Sequence, residues 1–187
     1  MSESNDTKDQ SRVSPLELAA LVSQRVELRN VMLTQCGANR SPNIDLQQEG
    51  TELRYGISEV RFGRDPDANT LFVLPSFNLD VLHRSESGTD SVLSVSATFV
   101  LVYSLDSFEG ISQRDLEAFS VTNGVFNAWP YWREFVQSTT SRMGMPGSIT
   151  MPVYRIGDNP FHKHSTPLGS TSAGKSENGG EKAQEAN

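Results

Sequence analysis

The residues of this 187-residue chain best suited to chemistry are three histidines and one cysteine, and their spacing gives them little to do together. His162 and His164 stand two apart in a loop-like stretch, and His83 closes an apolar alternation. A metal centre built on them would lack the cysteine or paired carboxylates that usually complete such a site. Cys36 has no second cysteine for an internal disulfide, and a lone thiol near the end of a strand pattern reads as inert. Neither a glycine-rich phosphate loop after a strand nor a nucleophile elbow occurs. The chain therefore reads as a non-enzyme, with no catalytic residue, cofactor or metal.

A different chemistry, the binding of apolar chains, is well supplied. From Gly124 to Arg155 the sequence runs GVFNAWPYWREFVQSTTSRMGMPGSITMPVYR and holds both tryptophans and three of the five methionines. Phe108 and Ile111 stand among Asp106, Ser107, Glu109 and Gly110, and Met143, Met145 and Met151 fall in turn-like surroundings. A monomer core explains apolar side chains in such segments poorly. Rigid aromatics and flexible thioethers at a surface accommodate many apolar sequences, as a binder of unfolded chains must. The simplest site is a groove between the segment around Phe108 and the aromatic helix, whereas Trp132 and Val136 read as packing.

Several elements must position these residues. Val125, Trp129, Trp132, Val136 and Met143 share one face of a helix; Gly144 is placed to cap it and Pro146 to stop it. Pro130 implies either a helix start nearby or a kink. Ser14-Pro15-Leu16-Glu17 is a capping box opening a short helix to about Gln24, with Leu18, Leu21 and Val22 on one side. A second short helix runs from about Ser112 to Ser120, with Ser112 as its cap and Asp115 at its third position.

Four strands come between these helices. Val26 to Leu33 is the first, with a change of parity near Asn30 that implies a bulge or burial on both faces. Gly37 to Gly50 reads as a loop. Thr51 to Gly63 is the second strand, changing face after Ile57, and Arg64 to Asn69 is a turn. The third, Thr70 to about His83, keeps its odd positions apolar but contains Pro75, which implies a sheet edge or a bulge. After a turn at Arg84 to Asp90, the fourth alternates cleanly through Phe99. It then becomes apolar on both faces to Tyr103, which implies cover from a second layer or another subunit. Leu105 to Gln113 is an exposed crossover.

Composition bounds the rest. The fold class is α+β: a four-stranded antiparallel sheet packed against a long C-terminal helix, with a short N-terminal helix. Residues 1–12 read as a disordered lead-in, 13–156 as a single domain and 157–187 as a disordered tail. A net charge of -7 with no local basic cluster argues against nucleic acid or an anionic membrane surface. The apolar runs are too short to span a bilayer, and the acidic N-terminus has no signal-peptide core, so a cytoplasmic location is expected.

The run Trp129, Pro130, Tyr131, Arg133 and Glu134 on the long helix, within VFNAWPYWREFV and followed by Ser-Arg and a Pro-rich return, resembles the SecB family of export chaperones. The match covers roughly Val26 to Tyr154. The resemblance implies an ATP-independent holdase, assembled as a dimer of dimers, that keeps non-native or precursor polypeptides in an apolar groove for export. By that likeness Tyr103, Leu105, Phe108, Ile111, Trp129 and Tyr131 line the groove, with Met143 and Met145 at the helix exit. Family members present acidic residues on the outer sheet to the SecA motor, but the corresponding Asn30, Thr34, Ser94 and Ser96 are neutral here. The extra helix at Ser14 is similar to the divergent members that guard an antitoxin in a toxin-antitoxin system. Partners are then unfolded polypeptides, with SecA or an antitoxin as the dedicated one. A small-ligand-binding protein or enzyme using the same groove is the alternative of another class.

Overall fold

The computed structural model describes residues 13–42, 51–85, 88–145, 149–155 and 164–167. Helix α1 (Pro15–Ser23) is followed by four long strands: β1 (Val26–Arg40), β2 (Thr51–Asp65), β3 (Thr70–Ser85) and β4 (Gly88–Leu105). A helical run follows, made of α2 (Gln113–Phe119), a π-helical turn (Ser120–Gly124) and α3 (Val125–Arg142), and the last strand is β5 (His164–Pro167). The sheet is antiparallel with the order β1-β4-β3-β2-β5. It therefore has five strands rather than four. The fifth comes from the stretch read as a tail, whose other residues, like 1–12, lie outside the described residues.

Capping chemistry fixes where the helices begin. The Ser14 hydroxyl accepts from the Glu17 amide at 3.3 Å while Glu17 Oε2 accepts from the Ser14 amide at 2.7 Å. Ser112 and Asp115 repeat the arrangement for α2. Gly144, at φ +69°, follows the end of α3 in the left-handed conformation that glycine adopts without cost. The proline inside α3 does not divide it. The irregularity falls upstream, in the π turn, so the two helices expected from sequence join into one run from Gln113 to Arg142.

Alternation decides which face of the sheet is buried. Leu71, Val73, Phe77, Leu79 and Val81 of β3 face the same side as Leu93, Val95, Ala97, Phe99, Leu101 and Tyr103 of β4, and all are buried. Against them α3 places Val125, Ala128, Trp129, Trp132 and Val136. Trp132 stacks on Phe77, with ring centroids 5.5 Å apart and planes at 12°. Each such side chain taken from water contributes about 1.5–3 kcal/mol, so this layer dominates the fold's stability. Helix α1 packs on α2 through Ala19 and Val22; Leu21 points outward instead, because the buried pair is set three apart on a short helix.

The strands depart from expectation at defined places. β1 shifts register between Leu28 and Asn30, as its change of parity predicts, and again between Leu33 and Gln35. It continues through Gly37, Ala38 and Asn39 to Arg40, so the expected loop starts later and Cys36 lies well within a strand, opposite Ala97. Pro75 is not at an edge, since β3 pairs with both β4 and β2. Its missing donor is accommodated by a bulge in β2 between Ile57 and Glu59 and by a gap in the β3–β4 pairing between Val73 and Ser76.

Candidate functional site

The helix α3 divides the inner face of the sheet into two flanks. Residues two apart on a helix point about 200° apart, so Trp129 and Tyr131 serve opposite sides. On the β1 side, Asn127 donates its side-chain amide to the Tyr103 hydroxyl at 2.9 Å, and Tyr131 leans on Phe99 at 6.5 Å. Leu28 pairs with Tyr103, Val31 with Leu101 and Leu33 with Phe99, and directly opposed residues share a face. Little covers that part of β1: Leu28 is 37%, Leu33 44% and Tyr131 46% exposed, which leaves an open apolar shelf between strand and helix.

The other flank is roofed. Trp129 sits 5.8 Å from Phe77, 6.5 Å from Tyr55 and 5.3 Å from Tyr154, and its indole N–H donates to the Pro152 carbonyl at 2.8 Å. Arg133 Nε donates to the Met151 carbonyl at 2.9 Å, fixing the returning segment along the helix. Between that segment and β2 lies a recess of about 520 Å³ whose walls include Tyr55, Trp129, Pro152, Val153 and Tyr154. The His164 ring stacks on Tyr55 at its mouth, 5.0 Å between centroids at 14°.

The crossover closes one end of the sheet. Arg25 pins it by donating to the carbonyls of Glu109 and Ser107 at 2.7 and 2.6 Å. Phe108 is half-buried with the Arg64 guanidinium 6.0 Å from its ring centroid, and Ile111 is buried. At the far end Arg40 donates to the carbonyl of Met143, half-buried at the helix terminus, and Met145 is buried behind it.

The eight residues named from sequence therefore fall in separate places. Tyr103, Leu105, Ile111, Trp129 and Met145 are buried within a single copy, whereas Phe108, Tyr131 and Met143 keep surface. Phe108 precedes and Met143 follows the helical run from Gln113 to Arg142. Tyr55, Tyr154, Leu28 and Leu33 were not named. The alternation of Tyr55 with Leu53 and Ile57 showed burial but not which flank it would line; the exposure of Leu28 and Leu33 follows only from β1 lying at an edge.

Charge on the outer face of the sheet is internally matched. Glu27 pairs with Arg29 at 2.8 Å, Glu52 with Arg54 at 3.1 Å and Glu59 with Arg61 at 3.3 Å, each two residues along one strand. Glu52 also meets Arg84 at 3.1 Å. Hydrogen bonds from Arg54 first, then from Ser165, hold its carboxyl down at about 2. Burial pushes the Tyr103 phenol up to about 12 against the bond from Asn127. Asn30, Ser94 and Ser96 lie on this outer face, and Thr34 gives its hydroxyl to the Thr98 carbonyl at 3.0 Å. Of the histidines, His83 lies in β3 opposite Thr51 and His164 on Tyr55; His162 lies outside the described residues. Among the described residues no three His, Cys, Asp or Glu side chains are grouped to hold a metal, and no helix is long and apolar enough to cross a membrane.

No protein-family model matches the chain, and neither does any curated protein sequence. Among solved structures, the SecB-like chaperone Rv1957 of Mycobacterium tuberculosis, in complex with a ChAD peptide from the HigA1 antitoxin, superposes with a TM-score of 0.63 at 21% identity. The overlap covers 76% of this chain and 100% of that one. A Streptococcus agalactiae protein of unknown function gives a TM-score of 0.35 at 12% identity over 68% of this chain and 96% of that one, too loose a superposition for comparison. The fold is SecB-like.

Proposed function

We propose that this chain, with its SecB-like fold, is an ATP-independent cytoplasmic chaperone that holds non-native polypeptide. One observation carries the reading: apolar side chains that a single copy leaves uncovered, Leu28, Leu33 and Tyr131 beside α3, line a continuous shelf instead of scattering over the surface. The half-buried Phe108 and Met143 add apolar surface outside it. Many modest apolar contacts suit extended clients of varied sequence. The arginine-matched carboxylates of the outer face favour holding over delivery to SecA, which the family contacts through acidic residues.

The test is suppression of aggregation when a urea-denatured precursor protein is diluted into buffer. Purified chain at near-stoichiometric amounts should slow the rise in light scattering. Phe108→Asp and Tyr131→Asp should each weaken the effect about ten- to hundredfold, as expected for losing one apolar contact of about 1.5–3 kcal/mol, with circular dichroism unchanged. Aggregation as fast with the chaperone as without it would end the reading. The antitoxin-bound structural neighbour favours a second reading, a chaperone dedicated to one antitoxin. Mass spectrometry of co-purifying proteins separates them: many clients for the general role, one for the dedicated role.

A further inference from the structure

The last strand occupies a place that suits a partner. Among the described residues β5 joins the sheet only through β2, with His164 opposite Tyr55, Ser165 opposite Arg54, Thr166 opposite Leu53 and Pro167 opposite Glu52. Its hold is slight. Four residues pair, and one of them is a proline that gives the ladder no donor. The Ser165 hydroxyl donates to Glu52 at an exposed position, where such a bond competes with water, and the His164 ring stacks on Tyr55.

The recess of about 520 Å³ is walled by Tyr55, Trp129 and Tyr154 with Pro152 and Val153, and Arg155 stands at its rim. Against those three aromatic rings a phenylalanine, tyrosine or tryptophan ring would bury more area than an imidazole.

We infer that the Glu52–Tyr55 edge of β2, together with this recess, accepts an extended polypeptide strand bearing an aromatic residue where His164 now sits, and that residues 164–167 fill the site in cis as a displaceable substitute. Strand addition suits this work, because ladder hydrogen bonds ignore sequence while one side-chain recess adds a preference. Self-occupancy also covers part of an edge that would otherwise template aggregation between copies. The inference rests on the polypeptide-binding reading and adds to it a mode of binding and a built-in competitor.

The experiment uses the full chain and a double variant, Ser165→Pro with Thr166→Pro. Those prolines remove two of the segment's three ladder donors and so at least one of the bonds to β2, whichever way the pairs alternate. The probe is a fluorescein-labelled 12-residue peptide of alternating threonine and valine with one central phenylalanine. If the segment fills the site 80–90% of the time, freeing the edge should tighten probe binding about five- to tenfold. Hydrogen exchange over Glu52–Tyr55 should speed up in the variant and slow again when the probe is added. Replacing the probe's phenylalanine by serine should abolish the gain. Equal probe affinity for variant and parent, with aggregation still suppressed by both, would overturn the inference and leave the chaperone reading standing. No binding of the probe and no suppression by either protein would overturn both.

Discussion

Tyr103 shows how much one side chain can report. Its ring packs edge-on against Phe119 at 5.1 Å, and its hydroxyl accepts from Asn127, so the phenol is enclosed but partnered. Burial raises its pKa from 10.0 to about 12. Between those values the unfolded chain has lost the proton while the folded one keeps it. The stabilisation is therefore complete below pH 10 and is lost as pH rises toward 12, the folding constant falling about tenfold per pH unit over that window. Denaturant midpoints measured from pH 9 to 12 should show this decline, and Tyr103→Phe should flatten it while costing about 1 kcal/mol near neutrality for the orphaned Asn127 amide. An unaltered slope in the variant would place the alkaline sensitivity elsewhere. At this scale the sequence was readable where a residue's role is local. Ser14, Ser112 and Gly144 cap as their types dictate, and Trp132 and Val136 are core as their helical spacing demands. The split between Trp129 and Tyr131 was not legible, because periodicity places both on one helix without saying what lies on either flank.

Among the elements, the join between α2 and α3 is the most constrained. The π turn brings Gly124 against β3 so closely that a Cβ there would lie 2.5 Å from Val73 Cγ1, and Val73 is itself fully buried. Gly124→Ala should destabilise by about 1–3 kcal/mol, the usual cost of overpacking, seen as a lower thermal midpoint. Val73→Ala combined with it should recover part of that loss even though Val73→Ala alone destabilises, since the two share one space. Additive losses in the double variant would mean that the turn is held by something other than this contact. A related line of side chains crosses the sheet. Thr34 bonds the Thr98 carbonyl, the Thr98 and Ser76 hydroxyls meet at 2.8 Å, and Ser58 bonds the Ser76 carbonyl at 3.1 Å, beside the β1 and β2 register shifts and Pro75. Small hydroxyl residues thus serve backbone groups where the ladder is irregular. Pro75 signalled the irregularity in sequence but not its neighbours, which depend on register. The end of β1 was misread for a similar reason: Gly37, Ala38 and Asn39 are poor strand formers alone, and it is pairing with β4 that holds them extended. β5 was hidden because three polar residues and a proline become a strand only when an open edge is offered.

For the molecule as a whole, the remaining edge sets the question of assembly. β1 is 15 residues long and exposed along most of its length, and from Val31 to Asn39 it carries neither charge nor proline. Such edges template pairing with another chain, and proteins ordinarily blunt them with lysine, proline or a covering segment. Among the described residues the bulge between Leu33 and Gln35 is the only such device in that stretch, while Leu28, Met32 and Leu33 stand 37–44% exposed. On the outer face Met32 lies beside the half-buried Val100, so the apolar surface wraps around the edge instead of stopping at it. A second copy pairing through β1 would cover Met32 on the outer face and satisfy the unpaired backbone, leaving the inner-face Leu28 and Leu33 to the shelf. The chain should therefore be a homo-oligomer, with the tetramer of the SecB resemblance as the expected state. Light scattering at micromolar concentration should return about four times the 20.6 kDa chain mass, and Met32→Lys should shift it toward smaller species by placing a charge in the paired edge. Cys36, exposed on the same strand, gives an independent reading, since its labelling by a maleimide should be slow in the parent and fast in the variant. A parent mass of one chain, with Cys36 labelling rapidly, would show that the edge is tolerated bare and would overturn the expected assembly.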